Sequence, residues 1–328
     1  MRCRAGSPRI VAERAVPNPS VFSVPPGFDR LQHAPVAGPV LETGVAGVWL
    51  DQLDGLDVVR VETADATAAI ALFGGQLLSY VPRGGQDVFW RSPLRAPLPT
   101  PVRGGAPVCW PFFGRQGQAA DVPSHGFART VPWRLQQARA GEEGITVVLG
   151  LPDLPGLPLR LHTEIHVGRR LRQRLVTTHA GDAPLVITEA LHNYFAVADV
   201  GAVRVAGLDG QPYLDRHDGQ RMHRQVGDWT LHDPRDPGRS DRTYPGAGGH
   251  YRLLDPPMAR VIDLQVRGGR SVVVWNPGQA GGAAMADVGP HWQRFLCVEA
   301  ANAGPDGVAL APGASHVLEQ VIQVLPLV

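Results

Sequence analysis

Along most of this chain the apolar residues recur at every second position, in short runs closed off by Gly, Pro, Asp or Asn. From about residue 45 the run DVVRVETADATAAIALFGGQLLSYVP carries such alternation, broken at Gly74-Gly75 and Pro82. DVFWRS, GITVVLGL, LRLHTEIHV, RQRLVTTHA, PLVITEALHNYFAV and AVRVAGL follow at close intervals, and RVIDLQV, SVVVWNP, RFLCVEA and HVLEQVIQV close the chain. A period of two marks a half-buried strand, and long amphipathic helical periods are absent. Strands following strands, with no helices between them, predict an all-β fold, a sandwich or barrel rather than a doubly wound sheet. No repeat at a propeller or solenoid period is visible.

Two stretches depart from the pattern. Residues 1–40 are proline-dense and aperiodic, which predicts a loosely ordered extension ahead of a single domain over 41–328. Residues 214–257 are polar and predict a long ordered loop inside the β region, a common place for function.

Composition then narrows the chemistry. The chain has 328 residues and 44% hydrophobic content, ordinary for a folded globular protein, and a formal net charge of +1 gives no basic excess for nucleic acid. All 31 basic residues are arginine, which excludes Schiff-base, pyridoxal-phosphate and phosphate-loop lysines. An anionic substrate would have to be held by arginine, whose fork suits phosphate. Cys3, Cys109 and Cys297 are widely separated and odd in number, which argues against a disulfide framework or zinc knuckle. With no apolar run of membrane length, the expectation is a soluble protein of a reducing compartment, the cytoplasm.

Four stretches carry more polar detail than a strand scaffold needs: VRGGAPVCWPFFGR at 102–115, SHGFAR at 124–129, TEALHNYF at 188–195 and FLCVEA at 295–300. On a regular strand His192 shares a face with Ala190 and Tyr194, Glu189 points to the other face, and Glu299 shares a face with Cys297 and Ala301. Each residue alone has a plain structural reading. His192 could be a satisfied core histidine, Glu299 an arginine partner, Arg103-Gly-Gly a turn and SHGFAR a loop cap. An imidazole and a carboxylate buried on separate strands could also form an acid/base pair.

Taken in order, VRGGAPVCWPFFG, HGFAR, ALHNYF, SDRTY, VVWNPG and CVEA resemble the hexose-6-phosphate mutarotases, the glucose-6-phosphate 1-epimerases of the aldose-epimerase superfamily. The resemblance covers roughly residues 45–325 and implies a large antiparallel β-sandwich, a galactose-mutarotase-like supersandwich. It implies that Glu299 removes the anomeric hydroxyl proton and His192 protonates the ring oxygen, with no metal or cofactor. Arg103 and Arg129 are implied as sugar-phosphate contacts, His125 and Asp241 as hydroxyl contacts and Arg115 as a further phosphate candidate. The expected partner is a small hexose phosphate, with no nucleic acid and no membrane, bound by a monomer. An epimerase of unphosphorylated aldoses and a non-catalytic carbohydrate-binding protein stand as the alternatives.

Overall fold

The alternation in the sequence becomes alternation in space. In the computed structural model, which describes residues 18–35, 44–115, 117–235 and 237–327, the strand Leu159–Gly168 turns Leu161, Ile165 and Val167 inward and Arg160, His162 and Glu164 outward. Eight strands of this kind pair antiparallel in one sheet, in the order 204–206, 250–255, 260–267, 315–326, 171–179, 159–168, 144–150 and 134–141. A second eight-stranded sheet runs 221–224, 212–215, 240–245, 271–276, 295–302, 189–191 and 108–109, with 194–196 also paired to 295–302. A four-stranded meander over 48–82 and a two-stranded pair of 185–187 with 308–310 complete the described strands.

The two large sheets share one hydrophobic core, to which Val272, Val274, Val298 and Ala300 contribute from one side and Leu175, Ile262, Leu318 and Ile322 from the other. This is the face-to-face packing of an antiparallel sandwich. Polar groups cross it too. Trp110 donates to Thr177 Oγ1 (3.0 Å), and Asn193 and Gln320 exchange amide hydrogen bonds of 2.7 and 3.0 Å. Gln320 passes the chain on to Gln173 (3.1 Å), so these buried amides are satisfied by one another.

One strand of the second sheet is buried at every position, Phe295–Asn302, FLCVEAAN. Its two faces meet different neighbours: Leu296, Val298 and Ala300 enter the sandwich core, while Cys297 and Ala301 lie on the opposite face. That double burial explains why the segment is apolar except for Glu299 and the terminal Asn302. The turn at Gly74-Gly75 is equally constrained. Gly75 has φ +57°, and a Cβ there would lie 2.4 Å from the Trp133 ring.

Two expectations are corrected. Residues 18–35, inside the stretch expected to be loose, dock on the sandwich because Phe22 and Phe28 find aromatic partners in Phe112 and Phe127. Residues 1–17 and 36–43 lie outside the described residues. Within 214–257 the chain forms the strands Arg221–Arg224, Ser240–Pro245 and His250–Asp255, and several of their polar residues, Ser240, Arg242 and Asp255 among them, are buried and hydrogen-bonded, which is why polarity alone read as loop.

Candidate active site

The strand expected over 188–195 is interrupted where it matters. Glu189–Leu191 and Tyr194–Ala196 both pair with Phe295–Asn302, and His192 and Asn193 fall in the gap between them. Leu191 lies opposite Ala300 and Tyr194 opposite Cys297, so the register is unchanged across the gap and His192 faces Glu299 directly. The backbone groups freed by the gap find other partners. His192 N–H donates to the Pro107 carbonyl (3.0 Å), and the Asn193 amide reaches the Val298 carbonyl (3.1 Å). Facing side chains follow the alternation: His192 stacks on Tyr194 (4.8 Å, 8° between rings), while Asn193 points into the sandwich. Glu189, on the opposite face, is held by His316 (3.0 Å) and Asn302 (3.2 Å) and takes no part in the site.

His192 Nε2 lies 3.4 Å from Glu299 Oε1, with both side chains buried. Nδ1 of His192 and Oε2 of Glu299 have no hydrogen-bond partner among the described residues. Burial, reinforced by the charges of Arg129 and Arg103, pulls the His192 imidazole down to about 3. Burial and then the Asp241 charge push the Glu299 carboxyl well above the usual range, with Arg129 opposing. The two shifts run in opposite directions, and both favour a neutral imidazole beside a protonated carboxyl.

Around the pair is a cleft of about 550 Å³, large enough for a small organic ligand. Its lining includes His125, Arg129, Arg103 and Asp241 together with His192 and Glu299. Each is set by its own local device. His125 adopts φ +65°, a left-handed conformation costly for a non-glycine residue. Its N–H donates to the Gly114 carbonyl (2.8 Å) and its Nδ1 accepts from Gly114 N–H (3.3 Å). With Nδ1 accepting and burial holding the ring neutral, Nε2 carries the proton and His125 is a donor. Arg129 donates to the Ser124 carbonyl (2.7 Å), while its buried Nε has no partner among the described residues. Arg103 is held at two points, Nε on Asp287 Oδ2 (2.8 Å) and Nη1 on the Tyr194 hydroxyl (2.8 Å). Asp241 is the second residue of the strand Ser240–Pro245, and its Oδ2 lies 3.8 Å from Arg216 Nε. Arg115 is not brought in. It is exposed, it donates to the Val122 carbonyl (3.0 Å) and it lines no part of the cleft.

The model of the family described as aldose 1-epimerase matches residues 57–323. The chain belongs to the aldose 1-epimerase family. A Salmonella typhimurium relative in this family, named "Putative glucose-6-phosphate 1-epimerase", is 33% identical over 271 residues, 80% of this chain and 88% of the relative. The crystal structure of a putative mutarotase, YeaD, from Salmonella typhimurium aligns with a TM-score of 0.78 at 30% identity, covering 88% of this chain and 97% of that one. The galactose 1-epimerase of Lactobacillus acidophilus shares the fold, with a TM-score of 0.67 at 14% identity over 84% and 97% of the two chains. The all-β, galactose-mutarotase-like sandwich expected from the sequence is thus the fold of the epimerase family.

Several cleft residues escaped the sequence reading: Tyr194, Arg216, His217, Trp275 and Asp287. Alternation places Tyr194 on the His192 face without giving it a role, and pairing with the Glu299 strand could have pointed to Trp275, which lies opposite Cys297. Asp287 had no such signal, since it reaches Arg103 from 184 residues away in a loop. No helix among the described residues is long and apolar enough to cross a membrane. Cys109 and Cys297 are buried free thiols, and Cys3 lies outside the described residues.

Proposed function

We propose that this protein interconverts the α and β anomers of hexose 6-phosphates, glucose 6-phosphate foremost, by opening and reclosing the sugar ring. The observation that carries the reading is one cleft holding His192 and Glu299 at 3.4 Å together with two arginines, Arg103 and Arg129. The name borne by the Salmonella relative supports the same substrate. Opening a hemiacetal takes one proton from O1 and gives one to O5, both bonded to C1, so a one-proton pair on adjacent strands suffices. Glu299 acts as base at O1 and His192 as acid at O5; the roles reverse on closure. General acid–base help of this kind contributes on the order of 10²–10⁴-fold.

The proton's resting place has a consequence for this cycle. Neutral His192 beside protonated Glu299 is the protonation state of the open-chain complex, after Glu299 has accepted the proton and His192 has given one. The empty cleft is thus electrostatically matched to the intermediate, and the closed ring needs an imidazolium. A phosphate supplies it. Burial holds His192 down first, and the charges of Arg129 and Arg103 add to it. A phosphate dianion paired with them offsets that field and raises the imidazole pKa. His125 donates to a sugar hydroxyl and Asp241 accepts from another.

Arg103 is already engaged by Asp287, and this observation favours the second reading, an epimerase of free aldoses. Exchange NMR of α-glucose 6-phosphate decides, with glucose and galactose as controls and Glu299→Gln and His192→Ala beside wild type. Faster exchange of the phosphorylated sugar alone, lost in both variants, is the expected result. Acceleration of free sugars only would remove Arg103 and Arg129 from phosphate binding. Acceleration of none, by folded protein, would leave a carbohydrate-binding module.

A further inference from the structure

A segment that does not line the cleft packs against the loop that carries part of it. His125 and Arg129 are carried by the loop of residues 110–129, which has almost no ladder pairing of its own beyond an isolated bridge between Trp110 and Gly126. Residues 18–35 lie against this loop, contribute nothing to the cleft lining, and precede the family match that begins at residue 57.

The contacts are specific. Phe22 stacks on Phe112 with centroids 5.9 Å apart, and Phe28 meets Phe127 edge-on at 5.2 Å. Phe127 is two residues from both His125 and Arg129, and Phe112 adjoins Phe113, which packs edge-on to His125 at 4.7 Å. The Gln118 side chain accepts from Phe22 N–H (2.9 Å) and donates to the Ser20 carbonyl (2.8 Å). Ser20 in turn brackets Val186, donating its N–H to the Val186 carbonyl (3.0 Å) and accepting from Val186 N–H at Oγ (2.9 Å). Two residues on, Thr188 accepts from Phe113 N–H (2.8 Å). Phe22 and Phe28 thus reach both ends of the loop, and Ser20 ties the same segment to the strand 185–187.

We propose that residues 18–35 are a positioning strap that sets His125 and Arg129 for substrate, so that sugar-phosphate affinity depends on residues outside the family-matching part of the chain. The inference rests on the proposed function for its substrate. The acid/base pair, held by sheet register, is less exposed to the strap than the loop is.

The test uses the full chain carrying Phe22→Ala with Phe28→Ala, the same pair changed to Leu, and Gln118→Ala, which removes hydrogen bonds without emptying the core. Anomerisation of glucose 6-phosphate is measured, together with the histidine side-chain NMR signals of the substrate-free proteins. The alanine pair should raise KM about tenfold, with kcat changed far less. Gln118→Ala should raise KM by a smaller factor, and the leucine pair should restore it. The His125 signal should move in the alanine and Gln118 variants and return in the leucine pair. An unchanged KM and an unmoved His125 signal in the folded variants overturn the strap. A fall in kcat alone, in step with lost folded protein, overturns it as well. Wild type that fails to accelerate anomerisation counts against the proposed function instead, and the His125 signals then test the strap alone.

Discussion

Replacing one member of the His192–Glu299 pair should tilt the stability of the protein with pH, and in opposite directions for the two members. The unfolded chain titrates its histidine near 6.5 and its glutamate near 4.5, so the pair holds two protons below pH 4.5, one between, and none above 6.5. The folded pair holds one proton throughout the middle range. Between pH 4.5 and 6.5 the two states therefore bind equal numbers, and the pair leaves wild-type stability level there. In Glu299→Gln only a depressed histidine remains. Its contribution is complete above pH 6.5 and is lost as pH falls toward its folded value of about 3. In His192→Gln only a raised carboxyl remains, with a contribution complete below pH 4.5 and lost as pH rises toward its folded value. For Glu299→Gln a histidine protonated when unfolded and neutral when folded corresponds to a loss of about 2 kcal/mol between pH 6.5 and 4.5, and for His192→Gln the raised carboxyl tilts stability the opposite way. Both side chains are buried, so solvent screening takes little from this figure. Urea unfolding of the three proteins at pH 4.5, 5.5 and 6.5 provides the comparison, read as differences from wild type so that other groups cancel. The expected curve for Glu299→Gln falls on acidification and that for His192→Gln falls on alkalisation. Variant curves parallel to wild type across this window would refute the account, because they would mean that neither group is displaced from its unfolded titration.

Inorganic phosphate should raise the pKa of His192, followed through its imidazole nitrogen shifts, and Arg103→Ala combined with Arg129→Ala should abolish the response; no shift at saturating phosphate would break the link between the anion and the acid. Arg103→Ala should raise KM for glucose 6-phosphate roughly 30-fold, the equivalent of about 2 kcal/mol, and spare any turnover of free glucose. An equal effect on both sugars in steady-state kinetics would assign Arg103 to the ring instead of the phosphate. Asn193→Ala should cost about 2–3 kcal/mol in urea unfolding, because it strips hydrogen bonds from the buried Val298 carbonyl and Gln320. A loss under about 0.5 kcal/mol would mean that water replaces the amide.

Period-two patterning made the strands legible because a half-buried sheet needs it, and the same parity put His192 and Tyr194 on one face and Glu189 on the other. It also put Glu299 among apolar neighbours. The gap at 192–193 was not legible, since a break in hydrogen bonding that keeps register leaves the side-chain alternation untouched. Asp287 and Arg216 were hidden for a different reason. They come from loops whose placement is a product of the whole fold, and no local period encodes it. The docking of Phe22 and Phe28 was masked by the prolines around them, which speak of irregular backbone and say nothing of what two aromatic rings can bury. Arg115 shows the converse error, a residue beside the right motif whose side chain leaves the cleft.

The unchanged register across His192 and Asn193 bears on how such a protein can diversify. The separation of acid and base is a strand-to-strand spacing, as hard to alter as the sheet itself. The groups facing the rest of the ligand come mostly from loops, and loops accept insertions and substitutions readily. Selection on the rim can therefore exchange one sugar for another without disturbing proton transfer. A one-residue insertion at 192–193 would do the reverse, turning the imidazole away from the carboxylate while the recognition groups stayed where they are.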